Sequence, residues 1–299
     1  MSRRLVLALA FGLLLALPFA ALAEPRSPKP RILIGLIPEL NIFKQKARFH
    51  LLGEYLTRKV GVPVEFTILS RYGNIIESFQ TERMDGAFFG SFTGALALEK
   101  LGVIPLARPV NLDGSSTYHG HLFVRADSQI RSVKQLRGKR MAFVDRATTA
   151  GYVFPLAVLR KAGIPSPDGF FGEYYFTGSH DAAIASVLEG KADAGAAKHS
   201  VYDRIRKENP AVDRDLQIIA ESPPVPSNGL CVRRDLNLVL QASLKQALVD
   251  LAKDPEGAEV LAQFGALRFI ETTAEDYLPV IALAREAGID LKAYDYRNQ

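Results

Sequence analysis

The chain has 299 residues, enough for one large or two ordinary domains, and with 48% hydrophobic residues no segment has the composition of low-complexity disorder. Its formal charge of +5 falls to +3 without Arg3 and Arg4 (35 basic against 32 acidic residues), too weak and too interspersed for a nucleic-acid partner. The lone cysteine, Cys231, excludes an intrachain disulfide, so stability must come from packed cores.

Residues 1–23 carry a basic start, an apolar run from Leu5 to Leu17, Pro18 and the small-residue pattern Ala21-Leu22-Ala23, the layout of a secretory signal cleaved before Glu24. A retained anchor is the other reading, but Pro18 cuts the run short and no cysteine follows for a lipid. The address implied is the periplasm. Residues 24–30 read as a polar leader, and Arg31–Ile37 as a buried strand followed by a loop from Pro38.

Ala47–Val60 has helical apolar spacing and stops at Gly61; Val62–Ile68 is a strand with Pro63 near its start, where proline is tolerated. Tyr72–Thr81 reads as a short helix, Met84–Gly90 as a turn into a strand, and Ser91 opens a helix to Leu101. This alternation predicts a parallel sheet covered on both faces. Ile104–Val110 and Gly120–Arg125 are further strands around the polar stretch Asp113–Thr117, and Ser132–Leu136 is a short helix.

Met141–Val144 is an apolar strand, and Leu156, Leu159 and Ala162 share one helical face ending at Gly163. Between them Ala147-Thr148-Thr149-Ala150-Gly151 makes a hydroxyl-bearing turn at a helix start, where unpaired N–H groups and the helix dipole suit a tetrahedral oxyanion. Tyr174–Phe176 is a strand, and Ser179-His180-Asp181 caps a helix over Ala182–Leu188. Residues 189–197 then repeat the order of Thr81–Phe89 (helix end, tight turn, Asp, small residue, strand), which suggests two similar α/β lobes. Leu216–Ala220 is a strand, the proline-dense Ser222–Gly229 a crossing between lobes, and Leu230–Arg233 extended. Leu238–Leu251, Ala258–Phe264 and Thr273–Gly288 are helices that return to the first lobe.

Enzyme motifs fail on inspection. Gly90-Ser91-Phe92-Thr93-Gly94 sets its serine one place early for a nucleophile elbow, and Gly190 to Gly195 ends in Ala196-Ala197 instead of the Lys-Ser/Thr of a phosphate-binding loop. His119 and His121 share one face of a strand without a third ligand nearby, so neither a metal nor a cofactor is expected. What remains is a set of helix starts after strands: Ser91 and Thr93, Thr148 and Thr149, and His180. Each alone reads as a cap; together they point to one oxyanion held in a pocket.

Here the chain resembles the substrate-binding proteins of phosphate, phosphite and phosphonate ABC transporters, over essentially the whole mature sequence. Asp145–Pro155 resembles that family's D-P-x-S-T-S-G-Y-x-x-P stretch, and Gly178-Ser179-His180-Asp181-Ala182 its G-S-H motif. Asp85–Gly90 resembles its aromatic strand end, and Tyr118–Ser128 its entry to the second lobe. The resemblance implies a type II periplasmic binding fold, α/β throughout, with lobe one over 31–119 plus 224–299 and lobe two over 120–223. Two crossings, near Gly120 and Val225, would form the hinge.

By the same resemblance Thr148 and Thr149 stand where Ser and Thr bond the ligand's oxygens, and His180 where a histidine binds the oxyanion. Ser91 and Tyr118 line the site. Ala150 replaces the second Ser and keeps only its backbone N–H; Arg146 replaces a proline, and Phe89 a ligand-binding tyrosine. The acidic residues that pair an aminophosphonate's amine align with Ser200 and Asn228, and Lys198 adds a cation, although it also reads as a solvated strand-end lysine. The expectation is therefore a non-enzymatic, monomeric binding protein for phosphite, phosphate or an alkylphosphonate, delivering its ligand to a membrane permease. The alternative is an oxyanion sensor for a histidine kinase, with Cys231 near Asn228 available to a thiol-binding ligand. A third class, an enzyme on the same fold as in some thiamine-precursor synthases, lacks a nucleophile with a matched base.

Overall fold

The computed structural model describes residues 31–39 and 42–297, so the signal segment expected over residues 1–23 lies outside the described residues. The first half of the chain runs β1 (Ile32–Leu36), α1 (Ile42–Val60), β2 (Val64–Ile68), α2 (Asn74–Thr81), β3 (Gly86–Phe89), α3 (Ser91–Leu101), β4 (Ile104–Val110) and the two-residue β5 (Thr117–Tyr118). Then come β6 (Gly120–Arg125), β7 (Arg140–Phe143), α4 (Phe154–Lys161), β8 (Glu173–Phe176), α5 (His180–Leu188), β9 (Ala194–Lys198), α6 (His199–Glu208), α7 (Ala211–Asp215) and β10 (Leu216–Glu221). The chain closes with β11 (Val225–Pro226), β12 (Gly229–Val232), α8 (Leu238–Asp250), α9 (Gly257–Phe264), β13 (Arg268–Glu271) and α10 (Leu278–Glu286).

Two sheets result. One has the order β13-β4-β12-β3-β1-β2, the other β10-β6-β9-β7-β8, and β5 pairs with β11 in a short antiparallel ribbon between them. Neither sheet is purely parallel, contrary to the expectation from the alternating pattern. In each, three strands pair in parallel (β3-β1-β2 and β9-β7-β8) and every other pairing is antiparallel. The cause is the crossing: β6 and β12 each arrive from the other sheet and enter beside the third parallel strand from the opposite end.

The repeated Asp-small-strand pattern has a structural counterpart. Asp85 Oδ2 accepts the Leu33 N–H at 2.9 Å while the Asp85 N–H bonds Leu33 O, so the carboxylate pins the start of β3 to β1. Asp193 repeats this with Arg140, accepting its N–H at 2.8 Å and donating back to its carbonyl, which pins β9 to β7. Both carboxylates also hold an arginine, Arg233 and Arg140 respectively.

Helix α1 starts earlier than its apolar spacing suggests and buries Phe49, Leu52, Tyr55 and Leu56 against the first sheet. Phe49 meets Phe66, Phe88 and Phe264 edge-on at 5.2 Å for three of its neighbours' rings, the geometry aromatic quadrupoles favour. Fully burying each such ring contributes about 2–3 kcal/mol. Not legible were α6, whose only buried apolar residues are Val201 and Tyr202, the short α7, the two-residue strands β5 and β11, and the edge strand β13, which pairs with β4 and brings the C-terminal region back to the first sheet. Beyond α10, Tyr294 stacks edge-on against Phe92 of α3 and its hydroxyl donates to the Arg146 carbonyl at 2.9 Å. The C-terminal segment thus touches both halves in addition to the two chain crossings.

Candidate functional site

Three helix starts converge where the sheets face each other, each just after the carboxyl end of a strand. Ser91 begins α3 after β3, Thr149 begins a single π-type turn leading into α4 after β7, and His180 begins α5 after β8. That is the place where open α/β sheets bind ligands. A small polar hollow, closed down to about the room of one water, lies between them. Its walls include Ser91, Tyr118, Thr148, Thr149, His180, Lys198 and Asn228, together with Ile37, Glu39 and Tyr72.

The Asp145–Gly151 turn is built by its own side chains. Asp145 Oδ1 accepts the Ala147 N–H at 2.8 Å, and the Thr148 hydroxyl donates to the Asp145 carbonyl at 2.6 Å. Gly151 is required because a Cβ there would meet the Thr148 hydroxyl at 2.8 Å and run into Val144. Arg146, in place of the proline, lays its guanidinium over Tyr152 and Phe176, 5.7 and 5.5 Å from the ring centres. Thr148 therefore lines the cavity with its proton already turned into the turn. Ala150 does not reach the cavity; it packs behind it, where a Cβ on Gly120 would come within 3.1 Å of its Cα. Phe89 is fully buried and absent from the lining, tilted against Phe79 at 5.8 Å.

Thr149 does face the other half. Its Oγ1 accepts the Phe92 N–H at 3.0 Å and donates to Ser91 Oγ at 3.3 Å, and Ser91 donates to the Tyr118 hydroxyl at 2.5 Å. In that chain each hydroxyl passes one proton on, so the Tyr118 proton is the free end. Burial raises the Tyr118 hydroxyl to about 12, with the Ser91 bond opposing it, so it stays a protonated donor.

His180 is buried and lies edge-on to Tyr72 at 6.0 Å. Its Nδ1 accepts the Lys198 backbone N–H at 3.3 Å, which places the neutral ring's proton on Nε2. Burial lowers its pKa to about 4, with Glu39 pulling the other way, so it acts as an uncharged donor at neutral pH. The Tyr72 hydroxyl is buried with no hydrogen-bond partner among the described residues, and burial raises its pKa well above 10.

Glu39 and Tyr72 were not singled out from the sequence. Glu39 lies on the loop after β1, again at a strand's carboxyl end, and that position was the available signal. Its carboxylate receives Lys198 Nζ at 3.0 Å from the second sheet and Arg48 Nη1 at 3.3 Å from α1. Burial pushes its pKa up, but Lys198 and Arg48 outweigh burial and hold it at about 2. Lys198 is thus no solvated strand-end lysine. Its side chain is 12% exposed, bonded to Glu39 and seated 4.4 Å from the Tyr118 ring centre. The site is also not free of carboxylate, as the alignment of Ser200 and Asn228 had suggested. Ser200 is half-buried on α6 outside the lining, whereas Asn228 sits over Gly90.

Cys231 is buried on β12 with Sγ 3.5 Å from the Tyr277 hydroxyl, outside the cavity, and burial raises its thiol to about 12 against the Tyr277 bond. That removes it as a thiol ligand. His119 and His121 sit near the ribbon with His199, and among the described residues no group of His, Cys, Asp and Glu side chains is placed to hold a metal.

Two α/β halves of matching strand order, joined by a ribbon and enclosing a polar hollow, define a periplasmic binding-protein fold. A profile of the family described as ABC transporter, phosphonate, periplasmic substrate-binding protein matches residues 34–277, and the chain belongs to that family. It is 27% identical over 281 residues to a probable ABC transporter phosphite-binding protein, PhnD1, of Prochlorococcus marinus strain MIT 9301, covering 91% of this chain and 95% of that one. It is 24% identical over 234 residues to the phosphonates-binding periplasmic protein of Escherichia coli K12, covering 77% and 68%. The structure of PhnD1 in complex with methylphosphonate superposes with a TM-score of 0.75 at 25% identity, over 86% of this chain and 98% of that one. The fold is that of these binding proteins, and the family is non-enzymatic.

Proposed function

We propose that this chain is the periplasmic solute-binding protein of an ABC importer and holds a small phosphorus oxyanion (phosphite, phosphate or an alkylphosphonate) in the cavity between its lobes. The observation that carries the reading is the set of donors around that cavity. The orphaned Tyr72 hydroxyl, the free end of the Thr149-Ser91-Tyr118 chain and a neutral His180 Nε2–H all belong to buried side chains that line one hollow. A buried donor without a partner costs about 1–3 kcal/mol, which an anion's oxygens would return.

Tyr118 and His180 are the main side-chain donors in this reading, Tyr72 completes the cradle, Thr149 and Ser91 orient the Tyr118 proton through their hydroxyl chain, and Lys198 supplies the positive charge. Asn228 closes the wall, while Thr148 and Ala150 shape the turn instead of bonding the ligand. Residues 31–119 with 224–299, and 120–223, act as the two lobes. Rotation about the ribbon of β5 and β11 opens the cavity, and closure brings Thr149 onto Ser91 and Phe92. The protein reaches its site through a cleaved signal over residues 1–23, works as a monomer and presents its closed form to a membrane permease. The sensor alternative finds no support, because the family match is to transport components.

Isothermal calorimetry with phosphite, methylphosphonate, phosphate and 2-aminoethylphosphonate tests the reading. One of the first three should bind tightest, because Ser200 and Asn228 stand where the resemblance places the acidic residues that pair an amine, and the Lys198 ammonium lines the cavity as a like charge. Tightest binding of the aminated ligand, or no binding of any of the four, would overturn it.

A further inference from the structure

The least expected group in an anion cavity is a carboxylate. Glu39 is 7% exposed, and it lines both the anion cavity and a second small hollow beside it. Both oxygens are engaged, Oε1 by Lys198 Nζ and Oε2 by Arg48 Nη1, yet an ionised carboxylate has about four acceptor positions, so two pairings leave acceptor capacity over. Among the described residues no other side chain of the cavity lining is acidic; the remaining polar groups are hydroxyls, an imidazole, an amide and an ammonium. A ligand that presents only lone pairs meets repulsion at Glu39, whereas a ligand that keeps one acidic proton can donate it there.

We infer that Glu39 is a specificity-determining residue that reads the ligand's proton: it accepts a hydrogen bond from the P–OH of a singly ionised phosphorus oxyanion and turns away fully ionised tetrahedral anions such as sulfate. This rests on the reading that the cavity binds a phosphorus oxyanion. A site built to pair a ligand hydroxyl discriminates strongly against analogues that lack it, because its own polar group is then left facing like charge. Lys198 and Arg48 keep the carboxylate ionised, so it can only accept.

Other groups around Glu39 do not supply the same dependence. Lys198 faces it from β9, Arg48 from α1, His180 from α5, Tyr118 from β5 and Tyr72 from the loop before α2, with Asp145, Asp181 and Arg204 in the wider field. Protonation of His180 would strengthen every anion alike, sulfate included. Sulfate keeps a constant charge over the working range and so serves as the internal control.

The test is calorimetry on the full mature chain with methylphosphonate and with sulfate, at pH values on either side of the phosphonate's second ionisation. In the wild type, methylphosphonate affinity should fall at least about tenfold as the ligand loses its last proton, with sulfate flat and at least about a hundredfold weaker than the singly ionised ligand. Glu39→Gln should flatten the pH step and bring sulfate within about tenfold of methylphosphonate, because an amide donates as well as accepts. Lys198→Met, which keeps the carboxylate, should retain the gap. Affinity that holds or rises as the ligand becomes doubly charged, or sulfate that binds as well as methylphosphonate, overturns the inference on the wild type alone, whatever the folding of the variants. A Glu39→Gln protein with an unchanged gap does so too. If phosphite, phosphate and methylphosphonate all fail to bind at either pH, the oxyanion reading itself fails and this inference falls with it; that result differs from binding without proton dependence.

Discussion

Thr149 of the second half caps a helix of the first: its Oγ1 accepts the N–H of Phe92, in the opening turn of α3, at 3.0 Å. Helix α3 has no side-chain cap of its own, since Gly90 stands at its N-cap position. The bond therefore satisfies a helix-start donor and draws the two halves together. Thr149→Ala should cost about 1 kcal/mol of stability, the ordinary value of a lost cap, and weaken oxyanion binding at least about tenfold. Thr149→Ser should restore most of both. Denaturant unfolding and calorimetry on the two variants check this, and an unchanged affinity for Thr149→Ala would count against a role for its hydroxyl chain in binding.

His180 gives the stability a pH dependence with a definite sign. In the unfolded chain the imidazole takes up its proton near 6.5, but in the folded protein burial delays this to about 4, against the pull of Glu39. Between those values the unfolded state binds more protons, so folding stability is full above 6.5 and declines as pH falls through the window. The whole step corresponds to about 3 kcal/mol at most. Glu39, ordinarily at 4.5 and held at about 2, adds a second loss at still lower pH. Urea unfolding between neutral pH and about 4.5 should show the first step, and His180→Gln should flatten it. A slope unaffected by that substitution would place the acid sensitivity elsewhere.

The Glu39–Lys198 pair spans the halves with both side chains nearly buried. Breaking such a pair from one side leaves a buried charge uncompensated, so Lys198→Met should destabilise by about 3 kcal/mol or more. Glu39→Gln with Lys198→Met together should be milder than the sum of the two, with a coupling of about 1–3 kcal/mol. Arg48 limits the effect from one side, because it still faces Glu39 when Lys198 is gone. A double-mutant cycle read by thermal unfolding measures the coupling; a value near zero would mean that the contact contributes nothing to holding the halves together.

The parts of this architecture that were legible are those with local signatures. Ser91, Thr149 and His180 announced themselves as small or polar residues at a helix start directly after an apolar strand, and the repeat around Asp85 and Asp193 announced two similar halves. The repeat implies matched energetics: each carboxylate pins one strand start, the two share no partner, and they lie in different sheets. Asp85→Ala and Asp193→Ala should each cost about 2 kcal/mol and add within about 0.5 kcal/mol in the double variant, as equilibrium unfolding would show. What was not legible depends on long-range placement. Glu39 follows a strand by three residues on a loop without periodicity, and its meeting with Lys198, 159 residues away, is fixed only by how the sheets face each other. Helix α6 carries too few apolar residues to show a stripe, and the direction of β6 and β12 follows from the crossing rather than from any residue in them.

Tyr72 separates binding from stability most cleanly. Its ring packs edge-on against His180 and belongs to the core shared by both halves, but its hydroxyl has no partner. Tyr72→Phe removes only that hydroxyl. Without ligand the variant should be as stable as the wild type or up to about 1 kcal/mol more stable, because an unsatisfied buried donor has gone. With ligand it should bind about tenfold more weakly, having lost one hydrogen bond to a charged oxygen. The thermal shift produced by a saturating oxyanion should shrink accordingly, since ligand stabilisation scales with affinity. Loss of stability without loss of affinity would assign the hydroxyl to packing or to an ordered water instead of the ligand.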